Sequence, residues 1–324
     1  MSKKTVAFSV VICTYNRADL LTDVLQTICN QTLDSTDYEV LIVDNNSTDE
    51  TARISDDFVS AYPNVRYVVE TQQGLSHARN RGWQEAKGVY IAYIDDDCKV
   101  PTGWLSEANT FVESYNPDVF GGPYAAFYNT PKPAWFKDTY GSHHPYDQTV
   151  RLEESPNALH GGNLFIRRDV LEAVGGFNPR LGMSGTNMGY GEETALIRYL
   201  QEHMPETSIY FEPTILVYHL VRADKMSIRW LMRHRFINAR YVYRVGRIAP
   251  PTVGQLLQLF RLGKTSLRFI ISVSVEPFFR DRKKYTYFQN YLYEKAFLRL
   301  DTLGWLYEEY LHITKNNRKE SAKE

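Results

Sequence analysis

Over residues 1–100 the chain alternates between two hydrophobic periods, and that alternation restricts the fold more than any other feature. Residues 6–13 are a short apolar run rich in β-branched side chains, after which Leu20, Leu21, Val24, Leu25 and Ile28 recur at helical spacing. The pattern repeats, with strands expected at 39–43, 65–69 and 89–94 and helices at 49–61 and 75–86. Ser47 or Thr48 is the expected N-cap of the helix at 49–61. Strands that alternate with helices build βαβ units, so the expected class is α/β, a mostly parallel sheet covered on both faces.

Beyond Pro101 the pattern loosens. Residues 117–163 carry Gly121, Gly122 and four prolines from Pro123 to Pro145 among aromatic residues, the composition of a loop-rich binding segment. Regularity returns with a helix expected at 191–203 and a strand at 209–220, and the chain reads helical from 225 onward with a break at Pro250-Pro251. Charge divides at the same place. Residues 1–221 hold 16 Lys and Arg against 29 Asp and Glu, a charge of −13, whereas residues 222–324 hold 21 against 9, a charge of +12. The expected organisation is an acidic body over 1–221 and a basic, mainly helical extension over 222–324.

Several classes are disfavoured outright. No apolar stretch approaches the ~18 residues of a spanning helix. Residues 1–13 pair two lysines with an apolar run, but lack a small-residue cleavage site and read as a buried strand. Cys13, Cys29 and Cys98 show no CxxC pairing, which argues against a disulfide framework or a cysteine zinc site and favours a reducing, cytoplasmic compartment.

In an open parallel sheet, ligands bind beyond the carboxyl ends of the strands. Those ends read Thr14-Tyr15-Asn16-Arg17, Asp44-Asn45-Asn46 and Asp95-Asp96-Asp97. The turn after the first strand contains no glycine, so a GxGxxG dinucleotide site is disfavoured and a pyrophosphate needs another partner. Two carboxylates at D-x-D spacing on a strand end can share a hard divalent cation, which in turn neutralises a diphosphate. The apolar run VYIAYI before the triplet places it at the mouth of a buried strand rather than on a solvated turn.

VICTYNR, VDNNSTDET, GLSHARNRG, YIDDD, GGNLFIRRDVLEAVGGF and GYGEETAL follow one another over residues 6–221. In order and approximate spacing this set resembles the family-two glycosyltransferases of the GT-A fold. The resemblance implies a Rossmann-like sheet, with a nucleotide-binding half over 1–100 and an acceptor half over 101–221. Thr14, Tyr15, Asn16 and Asp44 would line the nucleotide pocket, Asp44 accepting from the base, which is uracil in a UDP-sugar. An Asx turn leading the next helix is the ordinary alternative for Asp44. Arg79 would lie on the nucleotide side. Asp95 and Asp97 would form the D-x-D that reaches ribose and metal, Mn2+ or Mg2+, with Asp96 beside them on the nucleotide side or supporting the turn. His219, at the end of the expected strand 209–220, would be a third metal ligand or a structural histidine.

The same resemblance makes the acidic pair Glu192-Glu193 the source of the catalytic base, with Glu193 at the position usually held by aspartate and Glu192 as the alternative. Acids in a first helical turn also complement the helix dipole without any catalytic part. Gly161, Gly162 and Asn163 resemble the loop beside donor sugar and acceptor, and Trp135 is a candidate for stacking on the acceptor. The implied chemistry is inverting transfer from a nucleotide-sugar donor to a glycan or lipid-linked glycan, in surface or extracellular polysaccharide assembly. A metal-dependent phosphohydrolase and a non-catalytic sugar-nucleotide scaffold are the rivals. Residues 226–230 read MSIRW where processive relatives carry QxxRW, so a non-processive enzyme is expected.

In the extension, Arg229, Arg233, Arg240 and Arg244 share one helical face amid aromatic and aliphatic residues. Such a segment either lies peripherally on an anionic membrane surface, on the cytoplasmic side, or packs its apolar stripe on protein. No nucleic-acid module is recognisable, so no nucleic-acid partner is expected.

Overall fold

The computed structural model describes residues 6–185, 188–246 and 254–320. They cluster into two compact units. The first comprises residues 6–127, 138–185 and 192–220; the second comprises Tyr128–Lys137, Met188–Gly191 and the chain from Val221 onward. The segments 128–137 and 188–191 thus group with the basic extension, where a single boundary at 221/222 leaves them in the acidic body.

The first unit opens as β1 (Phe8–Thr14), α1 (Ala18–Cys29), β2 (Tyr38–Asp44), α2 (Thr51–Ala61), β3 (Val65–Val69), α3 (Leu75–Glu85) and β4 (Tyr90–Asp95). It continues through β5 (Cys98–Lys99), α4 (Trp104–Tyr115), β6 (Val119–Gly121), β7 (Tyr124–Phe127), β8 (Val150–Arg151), β9 (Leu164–Arg167) and α5 (Arg168–Val174). The last elements are α6 (Glu192–His203), β10 (Ile209–Phe211) and β11 (Val217–Leu220). Eight strands form the main sheet in the order β3-β2-β1-β4-β9-β6-β10-β8. The first four are parallel to one another, and β9 inserts antiparallel between β4 and β6.

Alternation along β1 explains why both faces are dry. Phe8, Val10 and Ile12 point into one core with Leu21, Leu25 and Trp104, while Val11 points into the other with Leu41, Tyr93 and Leu196. On that second face α3 lies close enough that a Cβ on Gly82 would sit 2.4 Å from Val11 Cγ1.

Two local expectations are corrected. Helix α2 starts at Thr51 with Glu50, not Ser47 or Thr48, at its N-cap and no side chain capping it; the Ser47 hydroxyl accepts from Asn16 N at 2.9 Å and that of Thr48 donates to Asn16 Oδ1 at 3.4 Å. The strand expected over 209–220 is two strands in two sheets. The chain turns at Glu212–Ile215, where the Glu212 carboxylate accepts from Thr214 N at 3.1 Å, and β11 then joins a small sheet in the order β5-β11-β7.

The second unit holds the α-helices α7 (Ile228–Val245), α8 (Gln255–Ser274), the short α9 (Phe288–Tyr291) and α10 (Leu298–Glu320). The expected break at Pro250-Pro251 lies outside the described residues. Helix α7 is joined to α10 by charge: Arg240 Nε and Arg244 Nη2 reach Glu308 Oε1 at 2.6 and 2.8 Å, and Arg235 forks onto Asp301. Part of the arginine face therefore serves packing, while Arg229 and Arg233 stay exposed.

Candidate active site

Polar residues end β1, β2 and β4 at the same edge of the sheet, and their side chains interlock. Asn16, left-handed at φ 50°, accepts the Thr48 N–H at 2.7 Å. Thr14 is buried at the end of β1 and its carbonyl accepts from Asn45 N at 2.8 Å; Tyr15 beside it is half-buried. Asp44 is buried, with Oδ1 accepting from Ser47 N at 2.8 Å and Oδ2 from Tyr67 Oη at 2.7 Å. The Asx-turn alternative for Asp44 is therefore present, although each carboxylate oxygen keeps a further lone pair for a ligand. Asn45, which sequence reasoning did not single out, ties the edge to α3: its amide donates to the Glu70 and Gln72 carbonyls and its oxygen accepts from Gly74 N at 2.7 Å.

At the acidic turn Asp95, Asp97 and His219 converge, each offering one ligand atom within 4.8 Å of the others. His219 arrives there through strand register, since β11 pairs it with Cys98 and Leu220 N donates to Asp97 O at 2.9 Å. Two hard carboxylate oxygens and an imidazole nitrogen suit a divalent cation of the Mn2+ type. Asp96 points elsewhere: it is buried and its Oδ1 takes Arg17 Nη1 at 2.7 Å, while the same nitrogen lies 3.2 Å from Asp97 Oδ2. Burial pushes the Asp96 carboxyl up to about 6 against the pull of Arg17. Asp96 thus supports the turn, and Arg17, whose only sequence signal was its place directly after β1, is its counter-charge.

His143 and His160 cluster with Tyr124, which also contacts His219. The two histidine rings meet edge-on at 4.2 Å. Burial pushes the His160 imidazole down to about 3, with His143 and His219 adding to the shift.

Arg79, on α3, organises the other half of the site. It is 3% exposed, packed over the Phe177 ring, with Nη1 2.6 Å from Glu192 Oε1 and Nη2 3.6 Å from Asp95 Oδ1. The sequence reading set it on the nucleotide side; here its charge is engaged by protein carboxylates. Gly161 and Gly162 form the centre of a turn closed by Asn163 N donating to His160 O at 3.0 Å. A Cβ on Gly161 would fall 2.0 Å from Arg79 Nη2, and one on Gly162 2.6 Å from Asp95 Oδ2, so the turn can press against both only without side chains.

Asn163 was expected beside donor and acceptor, but its side chain is buried and fully engaged. Nδ2 donates to Pro123 O and Ile215 O at 3.1 and 2.6 Å, and Oδ1 accepts from Trp104 Nε1 at 3.2 Å. Its part is to brace the turn. Trp135 belongs to the second unit, where its carbonyl accepts from Asn290 Nδ2 at 2.5 Å.

At the start of α6 the two glutamates differ. Glu192 pairs through Oε1 with Arg79, whereas Glu193 has no such cationic partner in contact; the buried Oε2 atoms of both lack a hydrogen-bond partner. Burial pushes the Glu193 carboxyl up to about 8; Glu192 adds to the shift and Arg79 opposes it. A carboxyl raised toward neutrality, with one oxygen lacking a partner, is suited to accepting a proton.

The chain resembles known proteins in sequence and in fold. The model of the family described as "Glycosyl transferase family 2" matches residues 9–175. Glycosyltransferase AglE of Haloferax volcanii is 34% identical over 173 residues, a stretch covering 52% of this chain and about half, 55%, of that relative. The glucosyl-dolichyl phosphate glucuronosyltransferase of the same organism is 27% identical over 237 residues, 70% of this chain and 74% of that one. Among solved structures, the mannosyltransferase PcManGT of Pyrobaculum calidifontis, in complex with GDP-Man and Mn2+, superimposes with a TM-score of 0.61 at 17% identity, covering 95% of this chain and 86% of its own. Staphylococcus aureus TarS 1–349 with UDP gives 0.54 at 16% identity, over 94% and 92% of the two chains.

Proposed function

The chain belongs to glycosyl transferase family 2, and from that membership we propose that it is an inverting glycosyltransferase. It moves a sugar from a nucleotide-diphosphate donor, a UDP-sugar, to a hydroxyl of a glycan or lipid-linked glycan in surface or extracellular polysaccharide assembly. One observation carries the reading: a single buried guanidinium, that of Arg79, stands 2.6 Å from Glu192 and 3.6 Å from Asp95. The acids suited to a metal diphosphate and the helix that bears the base therefore belong to one site.

Asp95, Asp97 and His219 are the residues that would hold a divalent cation, Mn2+ or Mg2+. Bound there, the ion supplies neutralisation of the diphosphate and of the charge that grows on the departing nucleotide. Thr14, Tyr15, Asn16 and Asp44 receive the nucleoside, Asp44 through its remaining lone pairs. Gly161 and Gly162 leave the sugar room.

Glu193 acts as the base. It takes the proton of the acceptor hydroxyl while that oxygen bonds to the anomeric carbon, on the face opposite the breaking bond to the diphosphate oxygen. Glu192, neutralised by Arg79, positions rather than catalyses.

The test is thermal stabilisation by a panel of UDP- and GDP-sugars with Mn2+, Mg2+ or EDTA, followed by NMR of the product formed from the stabilising donor. A metal-dependent shift and a product of opposite anomeric configuration are expected. Retained configuration, or equal turnover in EDTA, overturns the mechanism.

A further inference from the structure

Helix α8 is amphipathic with its apolar side outward. Leu256, Phe260, Leu267, Ile270 and Ile271, at spacings that keep them on one helical face, are all exposed, Leu256 at 84% and Phe260 at 66%. The opposite face carries polar residues inward. Gln258 is 0% exposed, with Nε2 donating to Leu306 O at 2.9 Å and Glu309 Oε2 at 2.6 Å, and Ser272 is buried one helical face along with it. These bonds fix the rotation of the helix. Turning the apolar stripe inward would unmake both and leave a buried amide without partners.

Cations border the stripe. Arg261, Lys264 and Arg268 are exposed along one flank at i, i+3 and i+7. Helix α8 then runs into Val275, Phe278 and Phe279, the last 84% exposed, and on to exposed Arg282, Lys283 and Lys284. Across 255–284 there are seven basic residues and two acidic ones. Of the acids, Glu276 is paired with Arg299, and Asp281 caps the N–H groups of Lys283 and Lys284.

A 20-residue helix is about 30 Å long, but no helix among the described residues is long and apolar enough to cross a membrane. An apolar stripe with cationic borders and aromatic tips instead matches a helix lying in the plane of a bilayer interface. A second copy of the chain on the same stripe would set two cationic borders against each other.

The geometry points to the outward face of α8 and the 275–284 turn as a surface that seats on an anionic lipid bilayer, its apolar stripe in the acyl boundary and its cations at the lipid phosphates. This inference stands on the second unit alone and does not depend on the transfer chemistry.

The experiment is cosedimentation of the full chain with vesicles of phosphatidylcholine alone or doped with phosphatidylglycerol. Wild type is expected to partition at least about tenfold more strongly onto the anionic vesicles, and less so as salt rises. The variant K264Q/K283Q/K284Q should lose about a hundredfold, near fivefold per cation. F260S/L267S should lose at least about tenfold, with an unchanged circular-dichroism spectrum because both side chains face outward. Wild type that stays in the supernatant with anionic vesicles overturns the proposal, as does binding indifferent to both variants. A concentration-dependent dimer in analytical ultracentrifugation that F260S/L267S abolishes, without vesicle binding by wild type, would assign the stripe to a second copy instead.

Discussion

Arg79 and Glu192 form an ion pair at 2.6 Å with both side chains withdrawn from water. Removing one partner strands a charge, so Arg79→Met should destabilise the first unit by about 3–5 kcal/mol. Arg79→Met/Glu192→Leu, which removes both charges, should recover much of that loss. Urea unfolding of the two variants checks it; equal losses would mean that the pair is not coupled.

The Gly161 turn sets the position of that guanidinium. Gly161→Ala puts a methyl 2.0 Å from Arg79 Nη2, and should cost about 1–3 kcal/mol by overpacking. Turnover should fall by more than the loss of folded protein explains. Normal stability and normal kcat would show that the turn can withdraw.

Glu193 gives a pH dependence with a definite sign. The carboxyl titrates near 8 in the fold and at about 4.3 when unfolded. The folded state therefore holds the extra proton between those values, and this group lowers stability as pH rises through them. Glu193→Gln removes that loss, so the Tm of the variant should gain on wild type from pH 5 to 8 and run parallel above. A base needs the proton gone, so wild-type kcat should rise through about pH 8, and the variant should keep donor binding without turnover. A flat pH–Tm difference, or near-normal turnover by the variant, would move the base to another group.

Asp97 faces His219 at 3.4 Å on one oxygen and Arg17 at 3.2 Å on the other. Asp97→Asn should weaken Mn2+ binding, followed by isothermal titration, by at least the 10–100-fold, roughly, that loss of an outer-shell partner costs. Unchanged affinity would remove Asp97 from the ligand set.

The α/β alternation was legible because β1 and β2 are buried along their length and α1 shows one apolar face, each a local pattern. Asp95 and Asp97 were legible for the same reason: they follow a strand that sequence alone identifies. What escaped is what the tertiary fold assembles. The engagement of Asn163 depends on carbonyls of Pro123 and Ile215, and the cluster of His143 and His160 on a tyrosine from β7. Nothing near those residues in sequence announces such neighbours. The division of 209–220 into two strands was within reach, since Pro213 cannot donate to a central ladder.

His219 reaches the acidic turn only because β11 pairs it with Cys98. Side chains alternate along a strand, so sliding β11 by one residue would present Tyr218 or Leu220 in its place. Insertions and deletions are therefore not equivalent along this chain. One added residue in the loop ahead of Val217 must be absorbed entirely in that loop, or the imidazole is exchanged for a phenol or an isobutyl group with every acidic residue still in place. Aligned acids alone would not reveal such a lesion; the length of the 212–216 loop would.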